Sequence, residues 1–436
     1  MGRYFSMLLI VLATCVVLVT AEIPPVRAQV PAGPNRPPNV PEGYVITPSG
    51  YFHPSCVRQL KDGEALLASG RVLQHADGAL EDIPACGYPH YTSGGEIVAR
   101  GGARAEPPMI THDYLFASTT TNTSYGGLTS TWTVPLGPTS NDGQVVYFFP
   151  GLEDFNTSET ILQPVLGWYM WASGLSGWSI ASWNCCPQGT NWFSSPVAVN
   201  PGDTILGTVT STCSAGTLSC STWNITTEDV SSGESTTLAN TPGEGQTFNW
   251  AFAGVLEVYN IYQCSDYPPN NSLTFSSLAL YDDNFDLISN PGWSMTNWLS
   301  GQTPECNYGG QVAPTQVTLD FGETTAEVNP TSLIFSPSAD CQSGPQSTTL
   351  TNNGPSGLAI FGVDITGPFS LNSPGDLSSC PAAKVVGVGQ SCKVVAVYDG
   401  ASGGGQGAIR IYDSATNSPQ VVTLIGSNND SCGSPF

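Results

Sequence analysis

The chain has 436 residues, 11 lysines and arginines against 34 aspartates and glutamates, four histidines, and a formal net charge of −23. That length implies more than one domain. That charge has the wrong sign for phosphate, so nucleic-acid binding is excluded as an expectation. The imbalance is also local: from Asp113 to Ala383 there is no lysine, arginine or histidine, while the same stretch carries 22 carboxylates. A catalytic unit confined to this stretch holds no Ser-His-Asp or Cys-His pair, no histidine metal site, no Schiff-base lysine and no arginine clamp. No metal and no cofactor are expected. Carboxylates, amides, hydroxyls, aromatics and cysteines remain to carry any chemistry. Few cations also leave ordinary acid denaturation little to act on, which points to a unit that works in acid. The plainer alternative is an acidic surface that serves solubility.

In chain order, Arg3, the apolar run Met7–Thr20 and small residues at Ala21 or Ala28 read as a secretory signal over residues 1–28. A secreted, extracellular chain with no membrane contact after signal cleavage is the expectation. Cys15 leaves with the signal and twelve cysteines remain, enough for up to six disulfides. Proximity in sequence suggests Cys56–Cys86, Cys213–Cys220, Cys264–Cys306 and Cys380–Cys392. Residues 29–112 begin with a proline-rich, polar stretch and hold most of the cations. The Gly-rich, basic Gly94–Pro108 is an expected nicking site. A cationic segment ahead of an acidic domain is arranged like a propeptide that docks by charge at neutral pH and lets go in acid. The alternative is a small N-terminal domain that stays attached.

Residues 113–325 are rich in Ser, Thr and Gly. Thr129–Val134, Gln144–Phe149, Val197–Val199, Thr204–Val209, Ser221–Thr226, Phe248–Tyr259 and Leu273–Tyr281 read as short strands separated by Asn/Pro/Gly turns. The expected fold is all-β, an antiparallel β-sandwich. Residues 327–427 form a second, smaller β unit, with strands expected at Ser332–Phe335, Ser347–Thr351, Leu358–Ile365, Lys393–Tyr398, Ala408–Tyr412 and Gln420–Leu424. This pattern suits an immunoglobulin-like sandwich.

Several motifs in the first β unit fall in an order that resembles the glutamic peptidases, or eqolisins. They are Tyr125–Pro135 (YGGLTSTWTVP), Phe149–Glu153 (FPGLE), Ile161-Leu162-Gln163 followed by Trp168, Ser182–Pro187 (SWNCCP), Val199–Ile205 (VNPGDTI), Trp223–Thr227, Val255-Leu256-Glu257 and Leu273–Phe275. The resemblance implies a lectin-like sandwich of two antiparallel sheets and peptide-bond hydrolysis. It also implies catalytic roles for Gln163 and Glu257, and a substrate site at Glu153, Trp168 and Trp183 for a polypeptide partner. The sequence departs from that family at Asn184, Cys185 and Cys186, where an acid and aromatics are replaced, and at Gly254, where a tryptophan is replaced. The C-terminal unit resembles the choice-of-anchor D, or ASH-type, domains through Asn329–Phe335, Thr349–Gly354, Gly367–Leu371, Gly389–Cys392 and Gly407–Tyr412. That likeness implies attachment to a cell surface or polymer.

The implied chemistry is self-consistent. Glu257 takes a proton from an attacking water and returns it to the leaving amine. The Gln163 amide donates to the oxyanion and carries no charge at any pH. The expectation is that the two lie on neighbouring strands with side chains on one face. The alternatives are a glycosidase pairing Glu257 with Glu153, a non-catalytic carbohydrate- or surface-binding protein that uses its tryptophans, and plain surface roles for both residues.

Overall fold

A computed structural model of the chain describes residues 36–98, 114–141, 143–156, 160–170, 173–299, 306–336, 343–354, 357–371, 379–398 and 404–427. The expected signal segment and most of the expected nicking site lie outside these residues. Among the described residues the protein is nearly all β, and no helix is long and apolar enough to cross a membrane.

Six short strands come first: β1 (Val45–Thr47), β2 (Gly50–Phe52), β3 (Val57–Gln59), β4 (Ala65–Leu66), β5 (Val72–Gln74) and β6 (Leu80–Asp82). The central sandwich follows with β7 (Tyr114–Thr120), β8 (Tyr125–Thr133), β9 (Val145–Glu153), β10 (Ile161–Trp168), β11 (Trp178–Cys185), β12 (Asn191–Phe193), β13 (Val197–Ala198), β14 (Thr204–Ser211), β15 (Thr222–Asp229) and β16 (Glu234–Pro242). It continues with β17 (Trp250–Tyr259), β18 (Ser272–Asp282), β19 (Ser294–Asn297), β20 (Gly309–Ala313) and β21 (Gln316–Asp320). The first sheet has the order β19-β7-β17-β9-β10-β11-β12-β3, and β13 pairs with β11. The second has the order β16-β15-β14-β8-β18-β21-β20.

The two sheets differ in how their strands are buried, and the cause is what lies on each face. In the second sheet, β14 and β15 alternate between buried and half-buried positions, because one face meets water. In the first sheet, β9, β11 and β17 are buried at every position. Their inner face packs on the second sheet through Leu128, Trp132, Phe148, Ile180, Leu256 and Phe275. Their outer face lies under the N-terminal unit, where Tyr51, Phe52, Cys56, Val57 and Tyr91 pack on Phe116, Phe149, Val165 and Trp183.

That unit is joined to the sandwich edge as well. β3 pairs in parallel with β12, and the Leu60 and Cys86 N–H groups donate to the carbonyls of Phe193 (2.8 Å) and Gln188 (3.0 Å). The expected pairs Cys56–Cys86, Cys213–Cys220, Cys264–Cys306 and Cys380–Cys392 are bonded, with Cα separations of 5.5, 5.6, 5.4 and 5.3 Å. Cys185 and Cys186 are bonded to each other.

The C-terminal sandwich uses β22 (Ala326–Asn329), β23 (Ser332–Phe335), β24 (Gln346–Asn352), β25 (Leu358–Ile365), β26 (Phe369–Leu371), β27 (Val385–Val386), β28 (Ser391–Tyr398), β29 (Gly405–Asp413) and β30 (Gln420–Gly426). Its sheets run β22-β24-β28-β26 and β23-β30-β29-β25-β27 around a core that includes Phe335, Leu350, Ile409 and Val422. It is tied to the central sandwich by the Asn307 amide, which donates to the Gly322 (2.8 Å) and Ser414 (3.4 Å) carbonyls.

Burial pushes the Asp320 carboxyl up to about 6. A folded-state value above the unfolded one, about 3.9, contributes stability that is complete below the unfolded value and is lost as pH rises through the folded one. The midpoint of thermal unfolding should therefore fall as pH rises from about 4 past about 6. Asp320→Asn should remove part of that fall. Calorimetry across this range checks it, and a variant whose profile overlays the wild type would contradict it.

Candidate active site

The outer face of the first sheet carries the polar residues singled out by sequence. Glu257 on β17 stands opposite Tyr147 on β9 and Tyr114 on β7. Gln163 on β10 stands opposite Trp183 on β11 and beside Gly151 on β9, where an added Cβ would lie 3.7 Å from Gln163 Cγ. Directly opposed residues share a face, so Glu257, Tyr147, Gln163 and Trp183 all point outward. Glu153 does too, opposite Ile161 and Trp250.

The expectation of neighbouring strands is corrected, because β9 runs between β10 and β17. Four residues of β9 also separate the level of Glu257, at Tyr147, from that of Gln163, at Gly151. The gap is filled by the N-terminal unit. The turn between β1 and β2, Thr47-Pro48-Ser49-Gly50, reaches Gln163 and Tyr259. The Ser49 hydroxyl donates to Gln163 Oε1 (3.4 Å), and the Tyr259 hydroxyl lies 3.3 Å from the Thr47 carbonyl. Asn191 donates to Thr47 Oγ1 (3.0 Å), which in turn donates to the Gly50 carbonyl (3.0 Å). Gly50 has φ +102°, and a Cβ there would meet the Tyr91 carbonyl oxygen at 2.1 Å, so the turn requires glycine. Under this cover Glu257 is 0% exposed and Gln163 is 1% exposed.

Glu257 is held by phenols. The Tyr114 hydroxyl donates to Glu257 Oε1 (2.7 Å), and the Tyr259 hydroxyl donates to the same oxygen. Burial, and secondarily the charge of Glu257, push the Tyr147 and Tyr259 hydroxyls well above the usual range, so both stay protonated donors. Sequence reasoning missed these tyrosines. The signal for Tyr259 was its place two residues beyond Glu257, which on a strand is the same face.

A β-bulge in β17 aims Glu257 outward. Phe252 pairs with Gly151 and Val255 with Phe149, so one extra residue is absorbed between them. Without it, Glu257 would turn to the inner face. Gly254 lies at this bulge against the inter-sheet core, where a Cβ would meet the Phe275 ring at 2.2 Å.

Two other sequence features are placed elsewhere. Trp168, five residues beyond Gln163 on an unbroken strand, points to the opposite face and packs against Trp178 at a ring distance of 5.2 Å. It stands apart from the dyad, whereas Trp183 stands beside Gln163 and stacks on Phe193 at 4.8 Å. Asn184 also turns inward, where its amide ties β11 to β16 through Thr241 Oγ1 (2.7 Å) and the Pro242 carbonyl (2.9 Å).

The ion pairs among the described residues lie within the N-terminal unit: Arg58–Glu81 at 3.4 Å, and His75 with Glu64 (2.9 Å) and Glu81 (3.1 Å). Its contacts with the sandwich described above are hydrogen bonds and apolar packing, together with Arg58 over the Trp192 ring at 5.2 Å. Arg100, Arg104 and His112, on which part of the expected docking through opposite charges falls, lie outside the described residues. Among the described residues no cluster of His, Cys, Asp and Glu could hold a metal ion.

No protein-family model matches the chain, and no curated protein does. Among solved structures it is similar to scytalido-glutamic peptidase with a peptide-based transition-state analog. That match has a TM-score of 0.36 and 15% identity, covering 48% of this chain and 98% of that one. The same peptidase with a transition-state analog inhibitor gives a TM-score of 0.35 at the same identity and coverage. The VesB protease of Vibrio cholerae gives a TM-score of 0.20 and 11% identity over 72% of this chain and 100% of that one. Superpositions this loose fix neither fold nor chemistry for this chain, and the functional reading rests on the geometry above.

Gly254→Ala should destabilise the chain by about 1–3 kcal/mol, because the new methyl overpacks the core at Phe275. Denaturant unfolding measures this, and a change within about 0.5 kcal/mol would contradict the packing described.

Proposed function

We propose that the chain is the closed precursor of a secreted, acid-acting endopeptidase in which Glu257 and Gln163 hydrolyse peptide bonds with an activated water. The single observation that carries this reading is the seating of the β1–β2 turn of the chain itself, Thr47–Gly50, against both Gln163 and Tyr259, the tyrosine that donates to Glu257. A face that accepts backbone and hydroxyl groups between a carboxylate and an amide is suited to a polypeptide. In the open form a substrate backbone would replace the turn. Glu257 would take the water's proton and return it to the leaving amine, and the Gln163 amide would donate to the oxyanion.

The glycosidase alternative fares worse. Glu153 lies six residues along β9 from the level of Glu257, about 20 Å at strand rise, and Gln163 four residues, about 13 Å; opening must shorten the second distance to bring Gln163 and Glu257 onto one peptide bond, and a carboxylate pair at roughly 5–9.5 Å would need the larger change. The surface-binding alternative loses Trp168, which faces away from the site.

On this reading residues 29–112 act as a propeptide, and release means removing an apolar cover. The hydrogen bond that His75 donates to Glu64, ahead of a smaller contribution from Glu81, raises the affinity of His75 for its proton, and against the effect of burial the same bond holds Glu64 below its usual range, so this clamp inside the cover yields late in acid. The C-terminal sandwich is read as the module that attaches the enzyme to a surface or polymer.

Release of peptides from casein at about pH 3, the range in which free carboxylates protonate, is the test. Glu257→Gln should abolish cleavage with the fold intact, and Gln163→Ala should cost roughly a hundredfold or more. N-terminal sequencing of the active species should find the start beyond residue 98. Normal activity in Glu257→Gln would overturn the reading, and full activity in a chain still starting at residue 22 or 29 would overturn the propeptide.

A further inference from the structure

The N-terminal unit does more than cover the dyad; it also completes a sheet. β3 is the outermost strand of the first sheet among the described residues, and it lies on the edge of β12. The register is parallel, with Val57 beside Asn191, Arg58 beside Trp192 and Gln59 beside Phe193. The Leu60 N–H then donates to the Phe193 carbonyl at 2.8 Å. Main-chain pairing of this kind holds a strand by its backbone and accepts many side chains.

Two side chains are more closely fitted. Val57 and Leu60 are both buried, and their odd spacing puts them on opposite faces of the strand. Val57 joins the outer cluster with Phe193 and Trp183, whereas Leu60 joins the inter-sheet core with Trp192 and Leu238. The edge thus offers an apolar seat on each side of one extended strand. Between the seats, Arg58 lies over the Trp192 ring at 5.2 Å, and the Gln59 amide donates to Ser195 Oγ at 3.2 Å.

Removing the N-terminal unit opens this edge. Backbone groups of β12 then lose their partners in β3, and the seats of Val57 and Leu60 meet water. An unpaired edge beside apolar surface is a template for another strand. It is also in line with the dyad. Gln163, Trp183, Phe193 and Gln59 stand opposite one another in a row across β10, β11, β12 and β3. Three strand spacings, about 14 Å, separate the ends of this row, a distance that about four or five extended residues span. One unfolded chain can therefore pair with the edge and still reach Gln163.

We propose that in the open form the β12 edge is a docking site for the substrate. An unfolded polypeptide adds there as a parallel strand, with apolar side chains three residues apart in the places of Val57 and Leu60. This rests on the reading of residues 29–112 as a cover that leaves. It makes the enzyme selective for long unfolded chains over short peptides that reach the dyad alone.

The test carries the full-length chain to about pH 3 and follows hydrogen exchange of residues 191–194 by mass spectrometry. Their amides should lose protection as the N-terminal unit leaves. A synthetic peptide that copies residues 55–62 should restore it. The same peptide with Leu60→Asn should need a concentration about tenfold or more higher, the loss expected when one leucine is no longer buried. The copy should also slow casein cleavage and leave cleavage of a short peptide confined to the dyad unchanged. Residues 191–194 that stay protected in acid with nothing added, or that stay unprotected with the copy and with casein, would overturn the proposal. Protection that returns with protein concentration alone would assign the edge to a second copy of the chain and overturn it too, as would casein cleavage that the bound copy does not slow. Restored protection in a chain that cleaves no peptide would uphold polypeptide docking at the edge and overturn the peptidase reading alone.

Discussion

A carboxylate buried in a stretch of chain without one cationic side chain is the constraint on which the rest of the first sheet depends. Glu257 is tolerable there because neutral donors converge on it, and they converge because of strand register. β7 brings Tyr114 opposite, β17 brings Tyr259 two residues on, and the bulge at Phe252–Val255 turns all of this outward. Shifting the register by one residue would bury the carboxylate against Phe275 and Trp132 in the inter-sheet core.

The N-terminal unit meets a second requirement of the same face. The outer surface of the first sheet is lined by Phe116, Phe149, Val165 and Trp183, which are poorly suited to water, and the unit covers them with Tyr51, Phe52 and Val57. Burial of this kind contributes about 25 cal/mol per Å² and is insensitive to pH. The same apolar surface holds the N-terminal unit in place. The turn at Thr47–Gly50 lies where a substrate backbone would compete for the same partners.

Much of the fold was legible in the sequence, and the parts that were not share a physical cause. Strands with one face in water, such as Thr204–Ser211 and Thr222–Asp229, announce themselves by alternation. Ser332–Phe335 and Leu358–Ile365 fall where β-branched and aromatic runs put them. Trp178–Cys185 and Ile161–Trp168 do not alternate, since both faces are covered, and only the ordered motif series drew attention to them. Gln163 and Glu257 could be named from that series, but the strand between them could not, because strand order is a long-range property. Trp168 belongs to the site only by the family resemblance. An odd spacing on a strand places it on the other face. Cys185 and Cys186 gave no pairing signal, as adjacent cysteines seldom bond to each other. The phenols around Glu257 left only the trace of Tyr259 at the second position after the acid.

The most direct measurement is hydrogen exchange of the segment around Thr47–Gly50, read by mass spectrometry in the full chain before and after transfer to acid, alongside casein cleavage in the same samples. The account predicts strong protection of this segment at neutral pH without cleavage, and loss of the segment or of its protection in step with the appearance of activity. Peptide cleavage by a chain in which the segment remains fully protected would contradict it.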